Sequence, residues 1–234
     1  MEHAGDECYV SGSIALMKRD RFYEFAKRVL DVAIALIALA LFAPLWAAIA
    51  VIVRLTSPGP ALYCQRRVIG KGGREFTVYK FRTMYHNNDD TLHKHAIARF
   101  LDGQPLDVVE KNGVRTPVYK LTNDPRVTPF GRILRKTGLD EVPQFLNVLR
   151  GDMSVVGPRQ PTHYEYERYT ERHKRRLEVL PGITGLYQVT ARSQVAFEEM
   201  IEIDLEYIQR RSLWLDFKII LLTPWAMLTG KGAN

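Results

Sequence analysis

The sequence predicts a helix-rich α+β protein: an apolar N-terminal helix-break-helix, a small β-hairpin, and a polar body of amphipathic helices. Three observations predict it. Residues 32–53 carry no charge and are interrupted by Pro44. Short apolar stretches flank the turn sequence Gly70-Lys71-Gly72-Gly73. Much of the chain after that has apolar residues at helical spacing. The 234 residues make one ordinary domain, or one domain with an appendage, and suffice to bury a real core. The expected division is a tail over 1–26, an apolar hairpin over 27–57, and a body over 58–234 ending in an interfacial helix.

The apolar run comes first. Its 22 residues, at about 1.5 Å each, give roughly 33 Å of helix, enough to cross a bilayer core. It is not a signal peptide: the apolar stretch is too long, starts too far into the chain, and has no small-residue cleavage site. Proline removes a backbone donor and crowds the preceding turn, so a break is expected at Ala43-Pro44. Lys18, Arg19, Arg21, Lys27 and Arg28 lie before the run; Arg54, Arg66, Arg67, Lys71 and Arg74 lie after it. Positive charge favours the cytoplasmic face. A helix that enters, breaks and returns keeps both clusters on that face, so re-entry is favoured over spanning.

After Pro58-Gly59-Pro60 the stretch "ALYCQRRVIGKGGREFTVYKFRTM" reads as two strands, with Leu62, Cys64, Phe76, Val78 and Tyr79 as apolar positions. Residues 85–118 are polar and broken by Gly and Pro, and read as a helix followed by a mobile loop. His86, His93 and His95 lie there without a carboxylate at a metal-ligand spacing, which favours a solvated stretch over a metal site. "NDPRVTPFGRILRKTGLDE" is turn-rich, then helical. "VPQFLNVLRG" places Val142, Phe145, Leu146 and Leu149 on one helix face, with Pro143 in the first turn and Gly151 as terminator. Asp140 and Glu141 therefore fall at or just before a helix N-terminus. "THYEYERYTERHKRRLEVL" reads as a charged helix, "PGITGLYQVTARS" as a Gly-rich loop, and "FEEMIEIDLEYIQRRS" as an amphipathic helix. In "SLWLDFKIILLTPWAMLTG", Leu213, Trp214, Phe217, Ile220, Leu221 and Trp225 suit an interfacial helix and a core helix equally.

The formal net charge is +7. Such a balance favours an anionic partner: nucleic acid, a membrane surface or a phosphorylated substrate. Cys8 and Cys64 give neither a disulfide framework nor metal-ligand spacing, so a reducing compartment fits.

The adjacent acids Asp140 and Glu141 stand out in so basic a chain. Capping explains them in part, since Thr137-x-x-Asp140 has capping-box spacing and acids suit a first helical turn. Their neighbours point further. Arg126, Arg132, Arg135 and Lys136 precede the pair; Arg150 and Arg159 follow it, the latter in a Gly-Pro-Arg turn. Arginine forks bind phosphate bidentately. A carboxylate among them is expected to stay ionised, and can bind Mg²⁺ beside a phosphate or attack phosphorus. The chemistry implied is phosphoryl transfer.

The runs "KFRTM", "DPRVTPFGRILRKTGLDEVPQFLNVLRGDMSVVGPR" and "PGITGLYQVTAR", with the N-terminal "KRVLDVAIAL" before a proline-broken apolar helix, resemble the small monotopic phosphoglycosyl transferases of bacteria. The resemblance extends from about Lys27 onward and is to the short form of that family. It implies transfer of a sugar 1-phosphate from a UDP-sugar to undecaprenyl phosphate at the cytoplasmic face of the bacterial inner membrane, releasing UMP and requiring Mg²⁺. Such a reaction starts exopolysaccharide, O-antigen or glycoconjugate assembly. By the same resemblance Asp140 is the nucleophile, forms a phosphosugar-enzyme intermediate and contacts the metal; Glu141 assists with metal or acceptor phosphate. Arg135, Arg159 and Arg192 match the family's diphosphate- and nucleotide-binding arginines, and Lys80 is a weaker match. Ala43-Pro44 stands where Ser-Pro is frequent, Gly138 where Ser is usual, and Gln160 where Pro is commoner. Membrane lipid is an expected partner, nucleic acid is not, and a second copy of the chain is an admissible one. Sugar choice is expected in 85–118 or the Gly-rich segment.

Two other readings compete. A membrane-anchored nucleic-acid module would use the basic charge and Phe76, Tyr79 and Phe81 for stacking. A non-enzymatic membrane scaffold of polysaccharide assembly would need no acid pair.

Overall fold

The structure is a computed structural model that describes residues 21–86, 91–111, 114–119, 124–191 and 194–228. Helix α1 spans Arg21–Leu41 and α2 spans Ala43–Thr56, with an angle of 64° between them. Neither is long and apolar enough to cross a membrane alone; the bent pair together is. The chain leaves helical geometry at Phe42 (φ −99°, ψ 8°), one residue before the expected break, and Pro44 occupies the first turn of α2. There its missing donor costs nothing. Phe42 N still donates to Ala38 O (3.2 Å) and Trp46 N to Phe42 O (3.0 Å), so proline bends the run without unravelling it.

The first half of α1 is fastened to the body by polar bonds. Asp31 Oδ1 accepts from Val155 N (3.0 Å), Lys27 Nζ donates to Asp216 Oδ2 (2.8 Å), and Arg28 Nη2 donates to Leu149 O (3.0 Å). Past Ala35 the helix turns apolar groups outward: Leu36, Ile37 and Leu41 are exposed, as are Leu45, Val51 and Leu55 on α2.

Strands β1 (Leu62–Ile69) and β2 (Glu75–Phe81) form the expected antiparallel hairpin, with Lys80 opposite Tyr63. Gly72 and Gly73 close its turn at φ +68° and +78°, a region that disfavours residues with a Cβ. Helix α3 (Thr91–Leu101) is followed by a second antiparallel hairpin, β3 (Asp107–Lys111) with β4 (Val114–Val118), where a mobile loop was expected. The β-branched residues Val108, Val109, Val114, Thr116 and Val118 outweigh the Gly and Pro around them.

Helix α4 spans Pro129–Thr137, a tight 3₁₀ turn spans Leu139–Gln144, and α5 spans Phe145–Arg150, ending at Gly151 (φ +85°) as expected. The predicted charged helix is instead two short helices, α6 (His163–Tyr166) and α7 (Glu171–Lys174), before a 3₁₀ turn. Thr162 and Thr170 each start one with a capping box, which cuts the segment in two. The predicted Gly-rich loop folds as strand β6 (Gly182–Thr184), parallel to β5 (Ser154–Val156), and helix α8 (Leu186–Thr190). Its glycine serves close backbone approach: a Cβ on Gly182 would stand 2.1 Å from Gly157 N. Helices α9 (Phe197–Arg210) and α10 (Leu213–Leu228) complete the described chain.

The main core gathers Val148, Met153, Val156, Met200, Ile201, Tyr207 and Ile219. A smaller one, Ile49, Val53, Phe81 and Leu134, joins α2 to β2 and α4. The core-helix reading of α10 holds in part. Asp216, Ile219 and Ala226 are buried against the body, while Trp214, Phe217, Leu221 and Trp225 are exposed.

Candidate active site

Four of the residues singled out in the sequence converge on the turn between α4 and α5. Lys80 comes from β2, Arg135 from the last turn of α4, and Asp140 and Glu141 from the 3₁₀ turn. Gly138 makes the junction. It adopts φ +68° and donates its N–H to Leu134 O, so the chain reverses out of α4 and enters the acid-bearing turn at once. That left-handed backbone favours a glycine here.

Lys80 Nζ pairs with Glu141 Oε1 at 3.2 Å. Arg135 Nε donates to Thr83 Oγ1 at 2.9 Å. Thr83 is itself fixed, since its carbonyl accepts from Thr128 N (3.0 Å). Gly131 allows α4 to lie on that backbone: a Cβ there would stand 2.1 Å from Thr83 O. Beside this group Arg126 grips Asp124 through two nitrogens, Nε to Oδ1 (3.0 Å) and Nη2 to Oδ2 (2.8 Å).

Asp140 was expected to stay ionised among the surrounding arginines. Burial, followed by the charge of Glu141, pushes its carboxyl up to about 6, and Lys80 and Arg135 only partly oppose this, so it is ionised at neutral pH by a narrower margin than a free aspartate. Burial likewise lowers Arg135 below the usual guanidinium range, against Asp140, Asp124 and Glu141. The site is thus a half-buried pair of adjacent acids flanked by one lysine and one arginine. Adjacent carboxylates are hard oxygen donors suited to Mg²⁺, which commonly takes one or two carboxylates and completes its shell with substrate phosphate and water. Among the described residues no group of three His, Cys, Asp or Glu is arranged to hold an ion.

Of the capping account, the Thr137 box does not form: Thr137 Oγ1 donates back to Ile133 O (2.9 Å) and Leu134 O (3.1 Å), away from the following turn. Both acids do lie in the first turn of the 3₁₀ segment, as expected.

Arg159 lies in a different group. Its Nη1 pairs with Glu165 Oε1 at 3.2 Å, and its carbonyl accepts from Arg176 Nη2 at 2.9 Å. Burial would raise Glu165, but Arg159 and the Thr162 hydrogen bonds outweigh it and hold the carboxyl low. The Gly-Pro-Arg turn is rigid as expected: Gly157 N donates to Thr184 O and Gly182 N to Pro158 O, both at 2.9 Å. Half of Arg159's fork is committed to a protein carboxylate, and the main influences on Asp140 are Glu141, Lys80 and Arg135. Arg192 lies outside the described residues.

Three residues that position the site went unread in the sequence. One is Thr83 and another is Arg82. The third is Asn147, fully buried, whose Oδ1 accepts from Tyr79 N (3.1 Å) and whose Nδ2 donates to Thr77 O (2.7 Å), clamping α5 to the free edge of β2. The expected apolar face of that segment is only partly the inward one: Phe145 and Leu149 pack half-buried against the core and Leu146 is exposed, while Pro143, Gln144, Asn147 and Val148 are the buried residues. An amide in the middle of an apolar run was the available signal. The aromatics of the nucleic-acid reading are largely occupied: Phe81 is in the core, and Arg150 stacks on Tyr79 at 5.5 Å.

Residues 22–230 match the family model described as bacterial sugar transferase. The chain is 42% identical over 221 residues to the galactosyl transferase CpsE of Streptococcus agalactiae, a match covering 92% of this chain and 45% of that protein. It is 40% identical over 208 residues to the exopolysaccharide production protein ExoY of Rhizobium meliloti, covering 89% of this chain and 88% of that one. It is 41% identical over 227 residues to the UDP-glucose:undecaprenyl-phosphate glucose-1-phosphate transferase of Xanthomonas campestris, covering 92% and 41%. The chain thus spans less than half the length of the first and third relatives, and most of the second.

Proposed function

The chain belongs to the bacterial sugar transferase family, and on that premise we propose that it is a phosphoglycosyl transferase moving a sugar 1-phosphate from a UDP-sugar to undecaprenyl phosphate. The names of several relatives support this reaction class, among them glucose-, galactose- and N-acetylgalactosamine-phosphate transferases. The observation that carries it is the half-buried acid pair Asp140–Glu141 held between Lys80 and Arg135.

Asp140 acts as nucleophile. One carboxylate oxygen bonds to the sugar-linked phosphorus, the bond from that phosphorus to the bridging oxygen breaks, and UMP leaves. A phosphate oxygen of undecaprenyl phosphate then attacks the same phosphorus, freeing Asp140 and yielding the lipid diphosphosugar. Burial serves this chemistry, since a desolvated carboxylate is a stronger nucleophile than a hydrated one. Arg135, fixed by Thr83, offers its remaining donors to the diphosphate. Lys80 orients Glu141 and offsets the charge of the pair. Arg159 and Arg192 bind the nucleotide end. Asp140 and Glu141 would hold Mg²⁺, which supplies charge neutralisation at the phosphates.

The site meets a lipid substrate at the bilayer surface. The bent pair α1–α2 enters and returns as a re-entrant membrane anchor, and α10 lies in the interface through Trp214, Phe217, Leu221 and Trp225. Their exposure supports this, because an apolar surface so extensive marks a membrane or protein contact. The body then faces the cytoplasm, and the product enters exopolysaccharide or related glycan assembly.

The test is intact-protein mass after brief incubation with Mg²⁺ and UDP-glucose, UDP-galactose or UDP-N-acetylgalactosamine, without acceptor. The expected result is a gain of one sugar phosphate, absent in Asp140→Asn. UMP release that needs both substrates and leaves no adduct would remove the covalent step. No release from any donor would remove the reaction.

A further inference from the structure

Four consecutive residues of one segment each take a different partner. Lys80 pairs with Glu141, Phe81 enters the small core with Ile49 and Val53 of α2, Arg82 turns to the end of α2, and Thr83 receives Arg135. Arg82 is the member that no reading of the reaction uses. It is 6% exposed, and its guanidinium spreads over the C-terminal end of α2. Nη2 donates to Ser57 O (2.7 Å), Ser57 Oγ (2.9 Å) and Val53 O (3.2 Å); Nη1 donates to Pro58 O (2.6 Å). Gly59, at φ +112°, makes room: a Cβ there would stand 2.1 Å from Nη1.

The position is specific. The last carbonyls of a helix lack intrahelical partners, and a cation is favoured beside them. Lysine carries the charge but not a planar fork able to reach several acceptors at once. Arg82 also sits two residues from Lys80 and one from Thr83, so the register of β2 transmits the position of α2's end to both sides of the acid pair.

Resting on the membrane-anchor reading above, we infer that Arg82 is a positioning residue that fixes the height of the acid pair relative to the membrane hairpin. Its effect falls on the use of a bilayer-embedded acceptor, because the phosphate of such a lipid is held at headgroup depth. A small soluble acceptor can follow a displaced site; a membrane-bound one cannot.

The experiment uses the full chain in vesicles of phosphatidylcholine and phosphatidylglycerol, comparing the parent with Arg82→Lys and Ser57→Ala. Transfer is measured to undecaprenyl phosphate in the vesicle and to a short water-soluble prenyl phosphate. In Arg82→Lys, transfer to the embedded acceptor should fall about ten- to a hundredfold, the scale of a misplacement near 1 Å. Transfer to the soluble acceptor and the KM for UDP-sugar should stay close to the parent's. Ser57→Ala should show the same split, more weakly. Equal loss with both acceptors, or no loss, overturns the inference. A second readout is independent of activity. A fluorophore on Cys64, in the strand paired with β2, is read against headgroup-nitroxide lipid after Cys8→Ser. Arg82→Lys should reduce the quenching; unchanged quenching overturns the inference even if the parent transfers nothing. An inactive parent would count against the proposed reaction, and the quenching would still decide the role of Arg82.

Discussion

Lys80 Nζ stands 3.2 Å from Glu141 Oε1, joining the hairpin strand to the acid-bearing turn across 61 residues of sequence. The pair is partly exposed, so its own contribution to stability is small, about 0–1 kcal/mol. Its importance is electrostatic: Lys80 is the first of the groups that lower the Asp140 carboxyl against burial and Glu141.

With Asp140 pushed up to about 6 in the metal-free protein, its carboxyl is largely protonated below that pH and cannot fill the nucleophile's role proposed for it. The acid limb of kcat/KM should therefore bend at or below pH 6, and lower as Mg²⁺ is raised, since a bound cation favours the ionised form. Lys80→Met removes a lowering influence, so the limb should move to higher pH as turnover at pH 7 drops. A limb unmoved by Lys80→Met would separate the lysine from Asp140.

Asp140→Asn should abolish turnover while stability holds or rises. The folded carboxyl lies above its unfolded value, so the cost of ionising it in the folded state builds as pH rises from 3.8 and is fully present above about 6. Replacing it relieves up to about 1–3 kcal/mol at pH 7.5. Thermal melts in EDTA at that pH check this; a clear fall in Tm would mean that Asp140 is structurally favourable.

Glu165 behaves in the opposite sense. Its folded carboxyl lies below the unfolded value, so its stabilising effect is present above pH 4.5 and is lost as pH falls through the folded value. Glu165→Gln should destabilise by about 2–4 kcal/mol at pH 7, and the difference should shrink in melts near pH 4. A gap independent of pH would trace the loss to packing.

Asn147→Ala should cost about 2–4 kcal/mol, because Tyr79 N and Thr77 O lose buried partners. Urea unfolding measures it. Asn147→Asp retains an acceptor but loses the donor to Thr77 O, and should fall no less.

Pro44→Ala should straighten the α1–α2 junction, whose bend is 64°. Labelling a cysteine at position 56 with an impermeant reagent should then find it on the opposite face from parent. If position 56 keeps its side, proline is not what turns the chain.

Local signals were legible where one residue's backbone preference or a short run decides the outcome. The broken apolar helix, the hairpin at Gly70–Gly73, the stop at Gly151 and the α+β class follow from such signals. So does the suspicion that Asp140 and Glu141 are chemical, since two acids among arginines invite that reading wherever they fold. The misread segments were those in which distant partners overrule local preference. Residues 163–178 break into short helices at two threonine caps. The glycines of 182–185 were read as flexibility but serve contact with Gly157.

The sequence by itself determined the chemistry on offer: an acid pair, a set of cations, and an apolar helix pair with a bend. Tertiary structure alone decided which cations meet the acids. Lys80 and Arg135 do, while Arg159 is drawn to Glu165. It also decided that the Asp140 carboxyl is raised, because desolvation depends on what surrounds a carboxyl in space and outweighs the charges nearby in sequence. The fastening of Arg82 to Ser57, across 25 residues, was invisible for the same reason. An arginine among many arginines declares its partner only when the chain has folded around it.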